Sequence, residues 1–99
     1  MALQGSYGKP CPAVTVQNNV FPEHSSLTLC PLTRHLADAP MFRINISPTS
    51  ENGLKQASQI MVDKIVSVPR EKIGERLGRL SDEQILEINQ ALALWIGLV

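Results

Sequence analysis

QIMVDKIVSV, residues 59–68, is the stretch from which the rest of the chain is read. At period two, Ile60, Val62, Val66 and Val68 point one way, with Lys64 interrupting them, and Gln59, Met61, Asp63, Ile65 and Ser67 point the other. Alternation rich in β-branched residues predicts a half-buried strand. Asp63 breaks the local rule, because aspartate is depleted in strands and costly to desolvate without a partner. Departures of this kind concentrate at functional sites. An Asp-Lys pair at a solvated strand end gives the same pattern, so the residue types alone leave both readings open.

Outward from that stretch the chain reads as more short strands. Residues 12–17 (PAVTVQ), 27–32 (LTLCPL) and 42–46 (FRINI) each carry alternating apolar residues between turn-forming ones. Pro31 marks a strand end or a sheet edge. Residues 1–4 read as the tail of a strand, as though a first strand were shortened, and residues 47–53 (SPTSENG) are loop chemistry throughout. Pro69 interrupts the central strand. Residues 72–80 read as a further strand with a bend, since Gly74 and Gly78 disfavour a helix. Residues 81–97 are helical: Ser81 and Gln84 form a capping box, and Asp82 and Glu83 suit the positive end of the helix dipole. Ile85, Ile88, Leu92 and Trp95, with Leu86, Ala93 and Ile96 alongside, form an apolar stripe that Gly97 ends. The expected fold is mainly β (α+β), a small antiparallel barrel with a C-terminal α-helix packed on it.

Composition narrows the function classes. The 99 residues make one small domain, residues 1–99, and 43% hydrophobic content is ordinary for a globular chain. Formal net charge is zero, so the whole molecule exerts no long-range pull on a polyanion. The distribution is uneven, however: residues 52–80 carry +3 and residues 81–99 carry −3. Cys11 and Cys30, each followed by proline, fit no zinc spacing; reduced thiols in a cytoplasmic protein are expected, a single disulfide being the alternative. The longest apolar run is too short to span a bilayer, so no membrane association is expected. Nucleotide and metal motifs are absent from the sequence, and no cofactor is expected. Thr33-Arg34-His35 forms a polar cluster at a strand end. A Cys11–His35 thiol–imidazole pair is conceivable chemically, but nothing local supports it.

Four blocks in order carry a family resemblance. Gly8-Lys9-Pro10-Cys11-Pro12-Ala13-Val14, Cys30-Pro31-Leu32-Thr33, Ser58-Gln59-Ile60-Met61-Val62-Asp63-Lys64-Ile65, and residues 73–97 with their Gly78-Arg79-Leu80-Ser81 join resemble the MazF/PemK toxin family over about residues 8–97. The resemblance implies an SH3-like barrel with a C-terminal helix, a homodimer, and a toxin of a type II toxin–antitoxin system. It also implies metal-independent, sequence-dependent cleavage of single-stranded RNA, and a cognate antitoxin that covers the RNA groove with an acidic segment. Position by position, Cys11 stands where the family's G-x-x-R-P block has a catalytic arginine. Thr33 matches the threonine or serine used at the scissile phosphate, and Asp63 the acidic residue that some members place in the active site. Lys9, Arg34, His35 and Lys64 are the candidate RNA contacts by neighbourhood.

The departure at Cys11 has a chemical consequence. Cleavage by the 2′-hydroxyl needs a base, an acid for the leaving 5′-oxygen, and donors for a phosphorane carrying extra negative charge. Arginine supplies a charged two-donor fork, and a thiol does not. Loss of one such stabiliser costs on the order of 10²–10³ in rate, so weak RNA binding and poor or no cleavage are expected. Two further function classes stay in view. Gyrase-poisoning toxins share the barrel and act through a Trp-Gly helix end, which Trp95-Ile96-Gly97 resembles superficially, although Trp95 also reads as one rung of the buried stripe. A decayed toxin that only binds antitoxin is the other.

Overall fold

The computed structural model describes residues 2–4, 12–16, 23–38 and 41–98. In chain order its elements are β1 (Ala2–Gln4), β2 (Ala13–Thr15), β3 (Ser26–Thr33), β4 (Arg43–Ile46), β5 (Ser58–Met61), β6 (Val66–Pro69), β7 (Arg76–Arg79) and α1 (Asp82–Trp95). Short 3₁₀ turns at Val62–Lys64 and Arg70–Lys72 stand before and after β6. Lys9, Cys11 and most of their block lie outside the described residues.

The longest strand, β3, organises the sheet. One of its edges pairs antiparallel with β2, Val14 opposite Cys30. The other edge is shared: β6 pairs with its first half, Leu27 opposite Val68, and β5 with its end, Leu32 opposite Ile60 and Thr33 opposite Gln59. The pairing order is β4-β5-β3-β2-β1-β7, with β6 beside β3.

The single strand expected over residues 59–68 is therefore two strands with a 3₁₀ turn between them, and the cause lies in β3. The Leu32 N–H donates to the Pro12 carbonyl on the β2 side (3.0 Å). Alternation then turns the nitrogen of Pro31 toward the opposite edge, where it has no hydrogen to donate. The chain leaves β3 at that gap, and the Ile65 N–H closes the turn on the Val62 carbonyl (3.3 Å). The turn also resets the pleat. Ile60 and Val62 enter the larger core with Val14, Cys30, Leu32 and Ile44, whereas Val68 joins a smaller cluster with Ala13, Leu27 and Leu29. The common face expected for Ile60, Val62, Val66 and Val68 does not form.

The bend expected in residues 72–80 is resolved into the second 3₁₀ turn and a register shift between β1 and β7, where Leu3 faces Gly78 and Gln4 faces Arg76. Leu77 is the extra residue. The sheet ends, β4 and β7, share no ladder among the described residues, so the expected barrel is not closed by strand pairing. A loop spans the gap instead. The Arg79 N–H donates to the Glu51 carbonyl (2.9 Å), and Gly78 lies so close to the Glu51–Asn52 backbone that a Cβ would collide with it. Asn52, fully buried, shapes that loop by accepting from the Thr49 and Leu54 N–H groups and donating to the Ser47 carbonyl.

Helix α1 covers the larger core with Ile85, Ile88 and Leu92. Its reciprocal Ser81–Gln84 capping box is present. Its end is a Schellman motif: Gly97 has φ 81°, and the Leu98 and Gly97 N–H groups donate to the Ala93 and Leu94 carbonyls. The buried stripe stops before Trp95. That residue is 44% exposed and meets Phe42 edge-on, with ring centroids 4.8 Å apart, while Leu86 and Ile96 are exposed.

Candidate nucleic-acid interface

Thr33 is the last residue of β3. Its Oγ1 accepts the His35 N–H at 3.1 Å, a local turn that swings Arg34 and His35 into solvent. The hydroxyl hydrogen stays free to be donated elsewhere. Beside this turn lies a cleft of about 550 Å³, lined by Thr33, Arg34, His35, Lys55 and Ser58, with Leu54 and Leu77 among its apolar walls. Three of its lining side chains are basic and none is a carboxylate. Low-dielectric walls and one sign of charge focus the field, so the cleft favours an anion although the chain is neutral overall.

The loop carrying Arg34 and His35 is fastened from below. Gln59 is only 4% exposed. Its Oε1 accepts the Ala37 N–H (2.9 Å), and its Nε2 donates to the Ala37 carbonyl (2.8 Å) and to Asn45 Oδ1 (2.9 Å). Thr33, Gln59 and Asn45 are directly opposite one another on β3, β5 and β4, which turns their side chains to one face of the sheet.

Of the residues singled out from sequence, Thr33, Arg34 and His35 meet at the cleft. Asp63 and Lys64 do not line it. Asp63 lies four residues beyond Gln59, the partner of Thr33, in the 3₁₀ turn that follows β5. Its Oδ2 accepts a hydrogen bond from Arg43 Nη2 at 3.3 Å, and its buried Oδ1 lies 3.1 Å from Arg43 Nε as an ion-pair contact without a hydrogen bond, with the two side chains 17% (Arg43) and 21% (Asp63) exposed. Arg43 faces Met61 on β5, so the pair ties the Val62–Lys64 turn to β4. Lys64 is exposed on that turn. Cys30 is a free, fully buried thiol on the same side, its pKa pushed up to about 11 by burial first and by the Asp63 charge second. Among the described residues no cluster of three or more His, Cys, Asp or Glu side chains is placed to hold a metal, and no helix is long and apolar enough to cross a membrane.

Sequence reasoning missed Lys55, Gln59 and Arg43. Lys55 sits in a loop whose path no periodicity encodes. Gln59 and Arg43 are polar residues at strand positions, a signal that was legible only for Asp63.

A small antiparallel sheet crossed by one C-terminal helix, with a basic cleft at the end of its longest strand, defines the class of protein. The profile of the PemK-like, MazF-like toxins of type II toxin–antitoxin systems matches residues 1–96, and the chain belongs to that family. It is similar to a protein of Mycolicibacterium smegmatis named "Probable endoribonuclease MazF", with 38% identity over 98 residues that cover 98% of this chain and 90% of the relative. The fold matches the Mycobacterium tuberculosis toxin MazF-mt6 with a TM-score of 0.86 at 19% identity, covering 98% of this chain and 97% of that one. It also matches a mycobacterial endoribonuclease solved in complex with its cognate antitoxin, with a TM-score of 0.83 at 21% identity over 99% of this chain and 93% of that one.

Proposed function

We propose that this chain is a toxin that binds single-stranded RNA in the cleft at the end of β3 and cleaves it slowly, without a metal or cofactor. The observation that carries this reading is the cleft itself, where Thr33, Arg34, His35 and Lys55 converge with no carboxylate among the lining residues. Arg34 and Lys55 neutralise backbone phosphates, and the Thr33 hydroxyl donates to a non-bridging oxygen of the scissile phosphate. The His35 imidazole offers ring nitrogens as a further hydrogen-bonding group at the cleft. Lys9 and Lys64 add longer-range positive charge. Cys11 stands at the family arginine's position and supplies no fixed cation, so the phosphorane is poorly stabilised and turnover is slow. Asp63 enters this reading through Arg43, holding the turn that follows β5, and its assignment to the catalytic set is tested by substitution.

The relative named as a probable endoribonuclease and the likeness to an endoribonuclease solved with its cognate antitoxin support the same reading. The partner expected is an acidic antitoxin segment laid over this cleft, excluding RNA. A single domain over residues 1–99, a homodimer and a cytoplasmic location complete the proposal.

Incubation of the purified protein with a labelled single-stranded RNA in the presence of a chelator tests it. The expected outcome is slow cleavage to products ending in 2′,3′-cyclic phosphate and 5′-hydroxyl, slower still in Thr33→Val. RNA that is neither bound nor cut would overturn the proposal.

A further inference from the structure

We infer that Gln59 is a positioning residue for RNA binding: its buried amide clamps the backbone of Ala37 and so holds Arg34 and His35 at the cleft. The inference rests on the reading of the cleft as an RNA site and adds a residue that never touches the RNA.

Among the described residues, little else orders the loop after β3. Arg34, His35, Leu36, Ala37 and Asp38 are all exposed, so no apolar burial fixes the segment. Its local bond is the Thr33–His35 turn. Gln59 supplies the long-range attachment, since its amide both accepts from Ala37 and donates to it across 22 residues of sequence. A primary amide is suited to this, being a donor and an acceptor in one plane. Its second N–H is taken by Asn45 on β4, which fixes the orientation of the amide. Glutamate at this position would keep the bond from the Ala37 N–H, lose both donations, and face two oxygen acceptors with a charge. Leucine would fill the volume and lose all three bonds, leaving Ala37 to water.

The effect on RNA follows from preorganisation. Cations on a mobile loop must be ordered when RNA binds, whereas a clamped loop presents them already in place. A displacement of about 1 Å costs up to ~10²-fold in a positioned site.

Gln59→Leu and Gln59→Glu test the inference, with every quantity referred to the folded fraction measured by circular dichroism. The readouts are affinity for a 2′-deoxy single-stranded oligonucleotide that cannot be cleaved, the kcat and KM for the cleavable RNA, and hydrogen exchange at the Ala37 amide. The expected result is faster Ala37 exchange in Gln59→Leu and a fall of about tenfold or more in affinity in both variants, with KM moved more than kcat. A purely structural role would lower the folded fraction and leave affinity per folded molecule unchanged; that result, with RNA binding by the unsubstituted chain intact, overturns the inference alone. An unsubstituted chain that binds no RNA overturns the cleft reading and this inference with it.

Discussion

Substituting Asp63 by asparagine separates a structural role from a chemical one. The Arg43–Asp63 pair is made through one hydrogen bond of 3.3 Å and one charge contact of 3.1 Å, with the side chains 17% and 21% exposed. Fully exposed pairs are worth about 0.2–1 kcal/mol, and removing one partner of a fully buried pair costs about 3–5 kcal/mol. A pair about one-fifth exposed falls between these limits, so Asp63→Asn is expected to destabilise by about 2 kcal/mol, a Tm fall of about 8–16 °C for a domain of this size. Arg43→Gln should cost a similar amount. The double variant should lose less than the sum, with a coupling of about 1–2 kcal/mol. Urea denaturation of the four proteins provides the cycle. Cleavage per folded molecule, measured well below each Tm, should change little in Asp63→Asn, because Asp63 does not line the cleft. Additive stabilities would refute the pair as a coupled unit. A fall of a hundredfold or more in cleavage with stability unchanged would place Asp63 at the phosphate instead.

The buried Cys30 thiol gives a pH test. Its pKa is raised from 9.0 to about 11, so the folded chain keeps a proton that the unfolded chain releases, and stability falls as pH rises from 9 to 11. The loss attributable to this group is about 2–3 kcal/mol, and it should disappear when denaturation curves of Cys30→Ala are compared across the same range. Gly78→Ala drives a Cβ into the Glu51–Asn52 backbone and should destabilise by about 1–3 kcal/mol or more, read by thermal melting. Cys11→Arg restores the cation of the family pattern and should raise RNA cleavage by on the order of 10²–10³; an unchanged rate would remove that position from the site.

The helix was legible because its determinants are local: Ser81, Gln84 and Gly97 act within one turn of the ends they define. The strands were legible by alternation. The break at residues 62–64 was not, because its cause is a missing donor at Pro31, brought alongside only when β3 and β5 pair. Trp95 fits the helical period of the stripe, yet it stays 44% exposed and meets Phe42 in an edge-to-face contact just before β4, and period alone does not tell how far the opposing surface extends. The cleft divides in the same way. Thr33, Arg34 and His35 are consecutive and could be seen as a cluster, whereas Lys55 reaches the cleft from the loop before β5, and Gln59 supports it from beneath only because β5 pairs with the end of β3. Asp63 drew notice as an acid in a strand; its partner Arg43 lies 20 residues earlier, on a neighbouring strand that sequence spacing does not identify.

Mapping where RNA touches the folded protein tests the central claim most directly. In a titration of the isotope-labelled chain with a 2′-deoxy single-stranded oligonucleotide, amide shifts are expected at Thr33, Arg34, His35 and Lys55, diminishing as salt rises. Shifts confined to helix α1 around Trp95, or spread over the surface without the end of β3, would contradict the account.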